Sequence, residues 1–132
     1  MQMEQKLSSE ATDSLYAIAY ELYRNGKYDA ARHFFHYLAL KDPMDRRCLI
    51  ALAACHQMLK EYKLAIEYYS IAAIQKPEDP YAHWYAAECF HSLGVVKEAF
   101  EALESARIVA EKSPEYASLI PQIKMMSDAW RA

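Results

Sequence analysis

Apolar side chains recur at helical spacing through most of the chain, in stretches that Gly or Pro separates. An apolar residue at every third or fourth position forms one face of an amphipathic helix. Gly ends a helix readily because it tolerates the left-handed conformation, and Pro cannot continue one. This pattern predicts an all-α chain, with helices near 9–25, 28–41, 45–59, 62–75, 79–93, 96–111 and 114–131.

The helix ends rest on particular residues. The first helix should begin near Ser9, whose hydroxyl can cap free backbone amides, and end at Asn25-Gly26. Pro80 suits the first turn of the fifth helix, because an amide there has no intrahelical bond to lose. Pro121 falls inside the last helix, which it either kinks or splits near Ile120.

The helices form pairs that repeat along the chain. Tyr28 and Ala31 recur as Tyr62 and Ala65, a step of about 34 residues. That step is typical of the tetratricopeptide repeat, a helix-turn-helix unit that buries its apolar face by stacking on its neighbours. We predict three such repeats and a C-terminal capping helix. The predicted divisions are a lead-in at 1–11, repeats at 12–45, 46–79 and 80–113, and a cap at 114–132.

Alanine recurs where the two helices of a repeat must approach closely. The alanines in question are Ala19, Ala53 and Ala87 on the first helices and Ala31, Ala65 and Ala99 on the second. Larger apolar residues should fill the remaining core: Leu15, Ile18, Leu22, Phe35, Leu38, Leu49, Leu52, Ile66, Tyr69, Phe90 and Leu103.

Repeats of this kind line a concave groove with fixed positions of each first helix. The register assigns these positions to Tyr16, Tyr20, Tyr23, Ile50, Ala54, Gln57, Met58, Tyr81, Trp84, Glu88 and His91. Tyr and Trp give large contact areas at small entropic cost, as in binding hot spots. The predicted groove is aromatic and nearly uncharged, which favours an extended, mostly apolar peptide ligand. The alternative is that Tyr16, Tyr20 and Tyr23 only pack the core.

Charge and hydropathy exclude several other partners. The net charge of −3 leaves no basic surplus to offset phosphates, so nucleic acid is not expected as a ligand. The sequence contains no apolar run long enough to span a membrane, so direct membrane insertion is not expected. The start of the chain lacks the organisation of a secretory signal, and we therefore predict a cytosolic protein.

The cysteines and histidines do not form a pattern typical of a disulfide framework or a metal site. Cys55 and Cys89 share one repeat position, where we expect buried structural thiols, and the odd count of three cysteines argues against a disulfide framework. His33 and His36 lie on neighbouring helical turns, yet no second pair completes a tetrahedral metal set. With two glycines in the chain there is no phosphate-binding loop. We predict no metal, no cofactor and no enzymatic activity.

Several strings resemble the class II chaperones of bacterial type III secretion, which hold hydrophobic translocator proteins before export. The Ala-Ala-Cys-x-Gln string and the Ala-Ala-Glu-Cys string, in corresponding places of two repeats, are the most specific of them. The strings that carry the resemblance are 14–20, 26–31, 52–57, 64–70 and 86–89.

The resemblance implies a cytosolic, ATP-independent chaperone whose groove takes an extended N-terminal segment of a translocator, with prolines and leucines as anchors. Tyr16, Tyr23 and Tyr69 resemble residues that the family uses to form or support that groove, although the repeat register places Tyr69 in the core. Members of the family that the chain resembles usually carry a further N-terminal helix used in dimerisation, whereas only about ten residues precede the first predicted repeat here. The sequence therefore leaves a homodimer open. The alternative function is a generic tetratricopeptide scaffold that joins two folded proteins.

Overall fold

The structure is a computed structural model that describes residues 2–132, with side chains from Ser9 onward. It consists of seven α-helices and one short 3₁₀ helix, and between Gln2 and Ala132 no residue lies in a strand. The all-α prediction is confirmed. Met1 of the predicted lead-in lies outside the described residues. The helices are α1 Gln2–Arg24, α2 Tyr28–Lys41, α3 Arg46–Met58, α4 Tyr62–Gln75, α5 Tyr81–Ser92, α6 Val96–Glu111, the 3₁₀ helix Pro114–Tyr116 and α7 Leu119–Arg131.

The first helix is longer than the sequence suggested. It begins at Gln2, so the prediction of a start near Ser9 is wrong, and Ser9 lies exposed within α1. Residues 2–8 include Gln, Met, Glu, Lys and Leu, which are good helix formers, and contain neither Gly nor Pro. Ser is a favourable cap but does not by itself force a helix to begin.

The chain forms two compact units, Met1–Glu61 and Tyr62–Ala132, hereafter unit 1 and unit 2. In unit 1, α2 packs against both α1 and α3. In unit 2, α4 packs on α5, α5 on α6, and α6 on α7. Each unit is therefore a stack of antiparallel neighbours with short connections, as expected of helix-turn-helix repeats. The predicted repeat boundaries remain a prediction.

The first helix of each predicted repeat ends in the same way. Gly26 and Gly94 adopt φ +77°, and Lys60 at the corresponding position adopts φ +63°. In each case the backbone amide of the following residue donates to the carbonyl oxygen five residues earlier, in the last turn of the helix, with N···O distances of 2.8 to 3.0 Å. These bonds satisfy carbonyls that the helix end leaves free. The turn therefore requires a left-handed residue, and Lys60 supplies one without being glycine.

Close helix contacts fall where alanine was predicted. The fully buried alanines include Ala19, Ala31, Ala53, Ala65, Ala87 and Ala99, all at 0% exposure. Among the larger residues, Phe35, Leu52 and Leu103 are buried as expected. Ile18 is not, since 49% of it is exposed. It lies about 100° around α1 from the buried Ala19, because each residue advances a helix by that angle.

The C-terminal cap is split. Of the two alternatives for the cap at 114–131, a kink or a split near Ile120, the structure has a split, at residues 117–118 between the 3₁₀ helix and α7. Pro121 therefore falls in the first turn of α7, where its missing amide costs nothing. Leu119 and Ile123 of α7 are buried against Leu103 of α6. This apolar face covers the end of unit 2, the role expected of a cap. Among the described residues, no helix combines the length and the apolar character needed to cross a membrane.

Candidate peptide-binding surface

Unit 1 presents a stack of rings on α1. Tyr16 and Tyr20 stand one turn apart, with ring centroids separated by 6.3 Å and planes 14° from parallel. Tyr16 is half-buried and meets Phe35 of α2 edge-on at 5.5 Å, whereas 49% of Tyr20 is exposed. Tyr16 thus links the core to the outer ring of Tyr20. The alternative that these tyrosines only pack the core does not hold for Tyr20.

The other residues predicted for this surface in unit 1 are partly accessible. Tyr23 is half-buried and meets Tyr28 edge-on at a centroid distance of 5.2 Å. On α3, Ile50, Ala54 and Gln57 are half-buried, and Met58 is exposed. We refer to Tyr16, Tyr20 and Tyr23 together as the unit 1 aromatic surface.

A charged residue that the sequence analysis missed lies on this surface. Arg47, in the first turn of α3, places its guanidinium carbon 4.4 Å from the centroid of Tyr16. Its Nη2 donates to Asp13 at 3.1 Å and to Asp45 at 3.2 Å. The prediction of a nearly uncharged surface is therefore wrong in unit 1. Asp13, Arg47 and Tyr81 share one position in successive repeats, and that register was the signal available in the sequence.

The electrostatics of this cluster follow from its contacts. Burial raises the pKa of the Tyr16 phenol, and the nearby Arg47 charge offsets part of that rise. Burial acts to raise the pKa of Asp45 as well, but the hydrogen bond from Arg47, the Arg47 charge and the hydrogen bonds from Cys48 together outweigh burial, and the pKa is lowered. The hydrogen bond to Asp45 raises the pKa of Arg47. Asp45 also caps α3 by accepting the Arg47 amide at 3.1 Å. The ion pair is therefore charged throughout the neutral range.

Unit 2 carries its own group of rings around Tyr81, which is 38% exposed. Its ring lies 6.2 Å from those of Trp84 and Tyr85, measured between centroids, with planes 10° and 28° from parallel respectively. Tyr116, from the 3₁₀ helix, meets Tyr81 edge-on at 6.0 Å. Tyr85 and Tyr116 were not among the residues predicted from the sequence. Tyr116 follows the last repeat, so no repeat register could have assigned it. We call Tyr81, Trp84 and Tyr85 the unit 2 aromatic surface.

Two residues predicted for the groove pack on the core. Tyr69 is only 2% exposed, and its ring lies 5.5 Å from that of Tyr85. It cannot present its ring to a peptide in this conformation, so the repeat register, which placed it in the core, is correct. Trp84 is half-buried and packs against the core of unit 2. Its buried Nε1 has no hydrogen-bond partner among the described residues.

The remaining predicted residues on α5 differ from each other. Glu88 is half-buried, whereas His91 is exposed. The imidazole of His91 stacks on the indole of Trp130 in α7 at a centroid distance of 4.3 Å. His91 therefore also anchors the end of the cap.

The three thiols are structural. Cys48, Cys55 and Cys89 are free and fully buried, as predicted for the latter two. Burial raises the pKa of each thiol to about 12. Little thiolate, the nucleophilic form, is therefore present at neutral pH. In the part of the chain that the structure describes, no three His, Cys, Asp or Glu residues gather closely enough to hold a metal ion.

The chain is similar in sequence to a known family and to a known bacterial protein. The tetratricopeptide repeat family matches residues 16–80 and 61–117. Low calcium response locus protein H of Yersinia pseudotuberculosis is 34% identical over 127 residues, which cover 96% of this chain and 76% of that protein.

Two solved structures are similar over nearly the whole chain. The type III secretion chaperone SycD of Yersinia enterocolitica, in complex with a peptide of the translocator YopD, has a TM-score of 0.86 at 33% identity, covering 95% of each chain. PcrH, of Pseudomonas aeruginosa, in complex with the chaperone binding region of PopD, has a TM-score of 0.86 at 32% identity. That match covers 93% of this chain and 92% of PcrH.

Proposed function

The chain belongs to the class II translocator chaperones of type III secretion, built from tetratricopeptide repeats, and from this premise we propose that it binds an extended apolar segment of a hydrophobic translocator. Binding keeps the translocator soluble in the bacterial cytoplasm before export. The observation that carries the proposal is the exposure of Tyr20 and Tyr81, on the first helices of two predicted repeats. Exposed rings of this kind are typical anchors for apolar ligands.

The binding residues proposed are those of the sequence register, with the roles that their burial supports. Tyr20, Met58 and Tyr81 are the accessible contacts, and Tyr16 supports Tyr20 through their stacked rings. Tyr69 acts from the core by packing on Tyr85. The half-buried contacts are Tyr23, Ile50, Ala54, Gln57, Trp84 and Glu88, with His91 at the end of α5.

The need for such a chaperone follows from its client. A protein destined for a membrane carries long apolar segments, and apolar surface in water favours aggregation by about 25 cal/mol per Å². Covering one segment lowers the concentration of free, aggregation-prone client through mass action. The proposal includes no catalytic step and no nucleotide. A SycD structure is described as an alternative dimer, and a homodimer is our corresponding proposal for the free state of this chain.

The decisive experiment is co-expression with the cognate hydrophobic translocator, followed by measurement of soluble translocator and of the co-purified complex. We expect the wild-type chain to convert an insoluble translocator into a soluble complex. The double variant Tyr20→Ala/Tyr81→Ala should lose most of this effect. Tyr37→Ala is the matched control, because Tyr37 is a tyrosine on α2 with 50% exposure outside the proposed surfaces.

The result also separates the two functions considered. A generic scaffold would not rescue an aggregating translocator, so a translocator that stays insoluble beside the wild-type chain would refute the chaperone function. Equal rescue by the double variant and the wild type would refute the proposed binding residues while leaving the function intact.

A further inference from the structure

In unit 1, Arg47 of α3 and Phe35 of α2 both contact the ring of Tyr16 in α1. The guanidinium of Arg47 lies over Tyr16, and its nitrogens reach Asp13 of α1 and Asp45 immediately before α3. Phe35 of α2 meets the same ring edge-on. Tyr16 is thus held by a cation from α3 and by an apolar ring from α2.

The energy of the Arg47–Asp13 pair does not explain the arrangement. The side chains of Arg47 and Asp13 are 43% and 65% exposed, and pairs this exposed contribute little to stability because water screens them. The contacts of Arg47 with the two carboxylates are better explained by the orientation that they give to its guanidinium. Two carboxylates fix the plane of a guanidinium through its forked donors, and a guanidinium fixed in plane restricts the ring beneath it.

The restricted ring, that of Tyr16, supports the proposed peptide contact Tyr20. Tyr16 stacks on Tyr20 at 14°, so a rotation of the Tyr16 ring would remove the surface against which Tyr20 rests. We propose that Arg47 is a positioning residue of the peptide-binding surface, holding Tyr16 so that Tyr20 is presented to the translocator segment, a role that rests on the proposed function. Lysine could keep the charge but not the planar fork or the flat stacking.

The test uses the full chain and overlapping synthetic peptides from the N-terminal region of the cognate translocator. Affinity is measured for the wild type and for Arg47→Ala, Arg47→Lys and Arg107→Ala. Arg107 is the matched control, because it is an arginine of α6 that is also held by two carboxylates, those of Glu104 and Glu111, and its side chain is 38% exposed, close to the 43% of Arg47. We expect Arg47→Ala and Arg47→Lys both to weaken binding, by roughly fivefold to thirtyfold, and Arg107→Ala to change it little.

A second readout reports the contact itself. The Arg47 charge offsets part of the rise in the phenol pKa, so Arg47→Ala should move the alkaline titration of Tyr16 to higher pH. The Tyr16 signal is assigned by subtracting the spectrum of a Tyr16→Phe partner for each protein. A role limited to the stability of unit 1 would not move this titration. Should Arg47→Ala fail to fold, Asp13→Asn removes one of the two anchors and should weaken binding by a smaller factor.

The outcomes distinguish the two proposals. If no peptide binds the wild-type chain, the proposed function fails. If peptides bind the wild type and Arg47→Lys equally, charge alone suffices and the positioning role is refuted. Equal binding by Arg47→Ala and the wild type would also overturn it, with the chaperone function unaffected.

Discussion

The imidazole of His91 lies flat against the indole of Trp130, with ring centroids 4.3 Å apart and planes 5° from parallel. Phe100 of α6 meets the same indole edge-on at 5.8 Å, and the guanidinium of Arg131 lies 5.2 Å from the Phe100 centroid. The last turn of α7 is therefore held to α5 and α6 through one indole. Trp130 is the residue on which the end of the cap depends.

We expect Trp130→Ala to lower the free energy of unfolding by about 1–3 kcal/mol, because it removes a half-buried ring together with both of its aromatic contacts. Urea denaturation followed by circular dichroism measures the change. Met125→Ala, at an exposed position of the same helix, is the control and should alter stability by less than about 0.5 kcal/mol. Equal urea midpoints for Trp130→Ala and the wild type would show that the stack does not hold the cap.

The helices and close contacts of this chain could be read from its sequence because both depend on local, repeated signals. The buried Ala19, Ala53 and Ala87 recur at one repeat position, since any larger side chain would separate the paired helices. The start of α1 could not be read in this way. Ser9 offers a cap, but a run of good helix formers precedes it, and cap and propensity gave opposite answers.

The candidate surface was harder to predict because burial depends on neighbours that the register does not specify. Tyr20 is exposed as expected, whereas Trp84 packs on the core of unit 2. Arg47 was not predicted, because its repeat position is held by Asp13, Arg47 and Tyr81 in turn and so shows no recurring side-chain type. An ion pair between successive repeats becomes visible only when the side chains are placed in space.

Lys60 should be replaceable by glycine with a gain in stability. Its φ of +63° lies in the left-handed region, which costs a residue with a Cβ about 1–2 kcal/mol. The other two repeats use Gly26 and Gly94 at this position. Because glycine loses more chain entropy on folding, we expect Lys60→Gly to raise the free energy of unfolding by a net amount of about 0.5–1 kcal/mol. Urea denaturation measures it.

The reverse change at Gly94 provides the control. A Cβ added there meets no heavy atom within 4 Å, so Gly94→Ala adds backbone strain at φ +77° without a clash. We expect it to lower the free energy of unfolding by about 1 kcal/mol. If Lys60→Gly destabilises the chain while Gly94→Ala does not, the account of these turns is wrong.

The buried thiols predict that the stability of the fold depends on pH. Burial raises the pKa of Cys48, Cys55 and Cys89 from an ordinary value near 9 to about 12, so folding favours the neutral thiol. Their contribution to stability is fully present below pH 9 and is lost as the pH rises from about 9 toward 12.

At neutral pH, a disulfide-exchange reagent should modify the native thiols far more slowly than the urea-unfolded ones. A thiol in the native chain that reacts as fast as free cysteine would contradict the structural assignment of the thiols.

Tyr20 and Tyr69 form a matched pair that separates binding from packing. Tyr20 is half exposed and Tyr69 is 2% exposed, although both are tyrosines on helices of predicted repeats. Tyr20→Ala should weaken translocator binding by about 1–3 kcal/mol while changing stability by less than about 0.5 kcal/mol.

Tyr69→Ala should instead lower the free energy of unfolding by about 3–5 kcal/mol, because it leaves a cavity beneath Tyr85. Peptide titration by calorimetry and urea denaturation of both variants provide the two measurements. The assignment of these residues is wrong if Tyr20→Ala unfolds early with its affinity unchanged. It is equally wrong if Tyr69→Ala keeps wild-type stability and loses only binding, since Tyr69 would then be a direct contact.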